Sequence, residues 1–148
     1  AAKIASWSGV RTVIADAGRD GVMVDACDGT PGVGTVVRPR EANLGARRLW
    51  IAFAVGSSGR ITVDAGARLA LEGRRVSLLP AGVVRVDGTY EAGSAVEVCD
   101  LSGTVFAKGI VRHDSALLRA HIGLRTSALP DGMAHEAIHA DDLVVLPA

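Results

Sequence analysis

Residues 59–88 read GRITVDAGARLALEGRRVSLLPAGVVRVDG, and their order of apolar runs, cap and turns decides the fold. Ile61 to Val63 is a short β-branched run, the composition of a strand. Asp64 follows as a helix cap, Ala65 to Leu71 is rich in helix formers, and Gly73 closes the helix. Val76 to Leu79 and Gly82 to Val86 then read as two strands, with Asp87-Gly88 as a turn. Downstream, strands are expected at Ala95 to Cys99 and Val105 to Val111, separated by the turn signals Ala92-Gly93 and Ser102-Gly103. Asp114 or Ser115 caps a helix of about two turns through His121, and Leu143 to Leu146 supplies a closing strand. Many short strands with two small helices predict a mainly β pseudobarrel.

Upstream, the pattern changes. Ala1 to Ser8 reads as a helix with apolar Ile4, Ala5 and Trp7, stopped by Gly9 and with no capping residue ahead of it. Arg11 to Ala15 reads as a continuously apolar strand of the kind found inside a parallel sheet. One helix and one strand cannot make such a sheet, so the expectation is a helix that starts in mid-course, with either the remainder supplied by another chain or the segment poorly ordered in isolation. Residues 16–39 are dense in Gly, Asp and Thr, with a short strand at Gly34 to Val37. The linker PREANLGAR (residues 39–47) leads to an apolar strand at Leu49 to Val55, and the turn Gly56-Ser57-Ser58-Gly59 separates two regions, 1–55 and 56–148.

Residues 59–88, with Ala107-Lys108-Gly109, His139-Ala140-Asp141-Asp142 and the tail Leu143 to Leu146, resemble the PUA domain that ends the glutamate 5-kinases. AAKIASWSGVRTVIADAGRDGVM (residues 1–23) is similar to the last helix and strand of that family's amino-acid-kinase domain. The resemblance implies a PUA-like pseudobarrel preceded by a βα remnant of an α/β kinase domain. Ala140 departs from the pattern, standing where Arg is common, and the loop from Arg125 to His135 looks shortened.

Composition narrows the alternatives. With 148 residues and nearly half of them apolar, the chain can bury a core, but only five aromatic residues are available, so Val, Leu, Ile and Ala must build it. The formal net charge is zero, which leaves no long-range field to gather nucleic acid or anionic lipid. Cys27 and Cys99 lack metal-ligand spacing and read as reduced, mostly buried thiols. No signal peptide and no bilayer-length apolar run is present, so the expectation is a cytoplasmic chain with no membrane partner.

Four motifs are candidate carriers of chemistry. His135-Glu136-Ala137-Ile138-His139 matches HExxH, which on a helix places two His on one face for zinc. Pro130-Asp131-Gly132 and the β-rich Leu143 to Leu146 leave no room for that helix, and in a strand residues i and i+4 stand roughly 13 Å apart. No metal site is expected there. Gly32-Val33-Gly34 lacks the third glycine and the helix of a dinucleotide loop and reads as a turn. Asp141-Asp142, with Asp64 distant, is read as capping and Arg-pairing, because a strand sends adjacent side chains to opposite faces. Arg68, Arg74 and Arg75, backed by Arg38, Arg40, Arg47, Arg48 and Arg60, are the candidate anion or RNA contacts, since the guanidinium fork suits phosphate. A solvated basic face is the alternative.

For activity, the resemblance implies ATP-dependent phosphorylation of the glutamate side-chain carboxylate, the first step of proline synthesis, with Mg²⁺. The family's glutamate site and Gly-rich, Lys-bearing nucleotide motif lie upstream of Ala1, and Lys3 falls after that Lys. No catalytic, cofactor or metal residue is therefore assigned in this chain. The implied partners are an amino-terminal kinase domain and further copies in a homo-oligomer. A structural or regulatory appendage, tuning feedback by proline, is one reading; an RNA-binding PUA module is the other, disfavoured by neutral charge and few aromatics.

Overall fold

The computed structural model describes residues 2–40 and 44–146; residues 41–43 of the expected linker lie outside the described residues. Two compact units are present, Ala1–Leu49 and Trp50–Ala148.

In the first unit, α1 (Ala2–Trp7) ends where Gly9 adopts φ 77°. Val10 N–H reaches Ala5 O at 2.8 Å and Gly9 N–H reaches Ser6 O at 3.2 Å, the paired bonds of a Schellman stop that a side chain at position 9 would strain. Next, β1 (Thr12–Ala15) pairs antiparallel with β2 (Gly34–Val37), from Thr12 opposite Val37 to Ala15 opposite Gly34. The strand at Gly34 to Val37 is where the sequence places it. The parallel setting expected for Arg11 to Ala15 is not found: β1 belongs to a two-stranded antiparallel ribbon. Among the described residues this ribbon leaves Ile14 and Val36 exposed, so its apolar run is not covered on both faces as a parallel strand's would be. Between the strands lies α2 (Val22–Asp28), which the Gly- and Asp-rich reading of residues 16–39 overlooks. Behind β2 the chain returns to α1, where Ser6 Oγ donates to Arg38 O at 2.8 Å and the Arg40 guanidinium lies 4.4 Å over the Trp7 ring.

The second unit opens differently from expectation. Leu49 to Val55 is no strand: α3 (Ala46–Leu49) closes the first unit, and the second opens with a π-helical turn at Trp50–Ala54. LWIAFAV is too short for its period to separate strand from helix.

After this turn, β3 (Gly59–Val63), α4 (Ala65–Gly73), β4 (Val83–Asp87), β5 (Ala95–Cys99), β6 (Val105–Val111), α5 (Ser115–Ala120) and β7 (Ile138–Val145) complete the unit. The strands form one sheet in the order β4-β3-β5-β6-β7, with β3 and β5 parallel and all other neighbours antiparallel. Bulges after Thr62, Val98 and Gly109 bend it. The unit is mainly β with short helices, as expected, but the sheet is not closed into a barrel. Val76 to Leu79 makes no strand and contributes one bridge, Leu78 to Ile138, which brings the chain ahead of β4 against β7.

The core is aliphatic. Ile61, Val63, Leu78, Val96, Val98, Val111, Leu118 and Ile138 are all buried, each worth about 1.5–3 kcal/mol on removal from water. Two buried polar side chains have partners from distant parts of the chain: Thr62 Oγ1 and Cys99 Sγ lie 3.5 Å apart, and His113 Nε2 is 2.9 Å from Ala134 O. Of the two thiols only Cys99 is buried; Cys27 on α2 is exposed, which corrects the expectation that both are hidden.

Candidate functional site

Helix α4 is set by its first residue. Asp64 is extended (φ −72°, ψ 170°), and its Oδ1 accepts from Ala67 N–H at 2.7 Å, so the carboxylate occupies an orphan donor of the first turn. With that end fixed, Leu71 is buried in the core and Arg68 lies half exposed at its margin. Between α4 and residues 76–82 runs an apolar groove of about 380 Å³, lined by Ala67, Ala70, Leu71, Val76, Leu78 and Leu79 among others.

The three candidate arginines behave differently. Arg68 bonds Glu72 at 3.2 Å and also Asp100 Oδ2, and its guanidinium lies 5.3 Å from the Phe106 ring centre. Asp100 is a hub of its own: Oδ1 accepts from Ser102 Oγ at 2.6 Å and from the N–H groups of Ser102 and Thr104 at 2.9 Å. The Ser102 hydroxyl, those two N–H groups and Arg68 hold its carboxyl below the usual range against the opposing pull of desolvation. Arg75 pairs with Asp141 at 2.6 Å, both side chains well exposed. Arg74 ends α4, its N–H on Ala70 O at 3.0 Å, and has no carboxylate partner among the described residues. Two of the three guanidiniums are thus already committed to carboxylates.

Asp141 and Asp142 divide as the strand geometry requires. Asp141 is exposed and meets Arg75, whereas Asp142 is largely covered and lies 3.8 Å from Arg112. Arg60 of the wider basic set is bound to Glu97 at 2.8 Å across the parallel β3–β5 pair, which raises its already high pKa. Beside it an open cleft of about 490 Å³, with Ser57, Gly59, Arg85, Asp87 and Gly88 in its walls, also holds the Arg85–Asp87 pair at 2.9 Å.

Ala107-Lys108-Gly109 has a structural meaning that sequence reasoning missed. Ala107 is fully buried, and Lys108 Nζ donates to Val55 O, fastening the end of the π-helical turn to β6. A Cβ on Gly109 would lie 2.7 Å from Ile138 Cγ2 and 2.9 Å from Asp142 O, so glycine is what lets β7 pass. The signal for the Asp100 hub was available as Asp-Leu-Ser-Gly-Thr, an Asx-turn composition.

The HExxH residues do not share a helix. Residues 135–137 are irregular, β7 starts at Ile138, and His139 Nδ1 accepts from Asp141 N–H at 3.2 Å. Gly32-Val33-Gly34 leads directly into β2. Among the described residues no three His, Cys, Asp or Glu side chains converge as metal ligands would. No helix among them is long and apolar enough to cross a membrane.

Residues 59–129 match the model of the PUA domain family. The chain is similar to "Glutamate 5-kinase" of Mycobacterium ulcerans (40% identical over 137 residues, 89% of this chain and 37% of that protein). It is likewise similar to that of Mycolicibacterium vanbaalenii (39% over 145 residues, 98% and 38%). The chain thus spans under two fifths of the length of these relatives. Among solved structures, a PUA domain from Aeropyrum pernix K1, crystallised as a tartrate complex, is 27% identical with a TM-score of 0.40 over 55% of this chain and 42% of that one.

Proposed function

We propose, from the match of residues 59–129 to the PUA domain family and the similarity to glutamate 5-kinases, that this chain is the carboxy-terminal portion of a glutamate 5-kinase, a cytoplasmic enzyme of proline synthesis. The observation that carries this reading is the extent of the similarity, 98% of this chain against 38% of a curated relative, which takes in both compact units. The whole enzyme would transfer the γ-phosphoryl group of ATP to the glutamate side-chain carboxylate with Mg²⁺. Its phosphate-positioning groups belong to the amino-terminal kinase domain, the first partner of this chain.

The donors present here do not fit an ATP–Mg²⁺ site. The carboxylates are dispersed among arginine pairs, at Asp100, Asp141, Asp142, Glu97 and Asp87. What these residues do is tie elements of the PUA unit together: Arg68 joins α4 to the β5–β6 turn, Arg75 joins its end to β7, and Lys108 joins β6 to the π-helical turn. A structural or regulatory part of a homo-oligomeric kinase fits this use of charge. RNA binding through Arg68, Arg74 and Arg75 is not favoured, because phosphate would have to displace the carboxylates on two of them.

The experiment is direct. Calorimetry with ATP and a hydroxamate assay for γ-glutamyl phosphate are run on this chain alone. Neither binding nor turnover is expected, and saturable ATP binding with turnover would overturn the division of labour.

A further inference from the structure

A row of alternating charge crosses four strands of the sheet. Asp87 of β4 stands opposite Arg60 of β3, Arg60 opposite Glu97 of β5, and Glu97 opposite Lys108 of β6. Val96 and Val98, on either side of Glu97, belong to the main core, so the row lies on the other face. Neighbours in such a row are about 5 Å apart at Cβ, which gives Arg60 a carboxylate on each side and Lys108 one.

Lys108 nevertheless leaves Glu97 aside. Its Nζ donates to Val55 O, while Arg60 gives both Nε (3.2 Å) and Nη2 (2.8 Å) to Glu97 Oε2, and Arg85 Nε holds Asp87 Oδ2 at 2.9 Å. Glu97 Oε1 takes no bond among the described residues. Val55 closes the π-helical turn, its N–H on Trp50 O at 3.1 Å, a five-residue spacing found frequently at functional sites. The chain is fixed on either side of this point. Ile51 is fully buried where the turn packs on β6 and β7, and Ser58 N–H bonds Ala95 O at 2.8 Å. Between those anchors, the Lys108 bond is the only hydrogen bond among the described residues that ties residues 52–57 to the sheet. Ser57 and Ser58 edge the cleft that Arg60, Glu97, Arg85 and Asp87 line.

We propose that residues 52–57 are a lid beside this charge row, latched by Lys108 on Val55 O, and that the row changes partners when the lid lifts. Lys108 then turns to Glu97, Arg60 to Asp87, and Arg85 to solvent. Two ion pairs exist in either arrangement, and exposed pairs of this kind differ little in worth, so the exchange costs little. Ile51 stays in place, and the cleft widens on the side of Ser57.

Amide hydrogen exchange read by NMR at Val55, with β5 amides as reference, tests this on the full chain, as wild type, Lys108→Met, Lys108→Arg and Glu97→Gln, with circular dichroism to check folding. Lys108→Met keeps the stem and loses the donor, so Val55 should exchange about tenfold faster while β5 holds its rate. Lys108→Arg restores a donor and should bring the rate back toward wild type. Glu97→Gln removes the partner that Lys108 turns to, and should slow exchange at Val55 by about threefold. Exchange unchanged by Lys108→Met overturns the latch. Exchange at Val55 that Glu97→Gln leaves unchanged or speeds overturns the change of partners, and that arm alone decides if Lys108→Met does not fold.

Discussion

Gly109 and Ile138 lie so close that a single added carbon at position 109 would stand 2.7 Å from Ile138 Cγ2. Ile138 is fully buried and opens β7, and the register between β6 and β7 shifts at this point: Gly109 faces Leu143 while Val111 faces Ile138. The closing strand therefore depends on an absent side chain. Gly109→Ala should destabilise the chain by about 1–3 kcal/mol through overpacking, read from its urea midpoint. An unchanged midpoint would show that β7 can move aside at little cost.

Asp64→Ala should lower stability by about 1 kcal/mol, because Ala67 N–H loses its acceptor at the start of α4. Asp64→Asn keeps an acceptor there and should lose less. Chemical denaturation of the three proteins in one buffer separates a cap from a general charge effect.

Asp100 gives an acid limb to stability. Its folded-state carboxyl titrates below the ordinary value, chiefly through the Ser102 hydroxyl, so its contribution is fully present above the unfolded carboxylate pKa of about 4 and is lost as pH falls through the folded value. Asp100→Asn should be less stable than wild type at pH 7, with the gap narrowing toward pH 3. Thermal midpoints at several pH values show it; a gap constant with pH would assign the loss to packing instead.

Tyr90 predicts the opposite limb. Its ring lies beneath Gly59, its hydroxyl is buried with no hydrogen-bond partner among the described residues, and burial pushes its pKa up to about 12. The unfolded phenol ionises first, near 10, so this group's contribution is complete below pH 10 and fades as pH rises toward 12. Tyr90→Phe should be more stable by about 1 kcal/mol at pH 7, since a buried unpaired hydroxyl is removed, and should lack the alkaline decline. Melting curves at pH 8 and pH 11 decide it.

These particulars also show what a sequence discloses. Strands β3 to β6 and the caps Asp64 and Asp114 were legible because β-branched runs, turn glycines and capping residues act within a few positions. The π-helical turn was not, because LWIAFAV is apolar throughout and only tertiary burial chooses between a strand and a helix. Nor was the neutralisation of the candidate arginines. Arg75 meets a carboxylate 66 positions away and Arg68 one 32 positions away, separations at which composition carries no pairing information. Charge at Arg68 and Arg75 was visible in the sequence, but its availability was a property of the fold.

The most direct test of the account is a chimaera in which this chain replaces the carboxy-terminal portion of a glutamate 5-kinase relative, joined to that relative's own amino-terminal domain. The hydroxamate assay with ATP, Mg²⁺ and glutamate is its readout, beside the unmodified relative. An active chimaera, with γ-glutamyl phosphate formed within about tenfold of the relative's rate, is the result the account predicts. A chimaera that folds and assembles yet forms none, while the relative's amino-terminal domain alone is active, would contradict it.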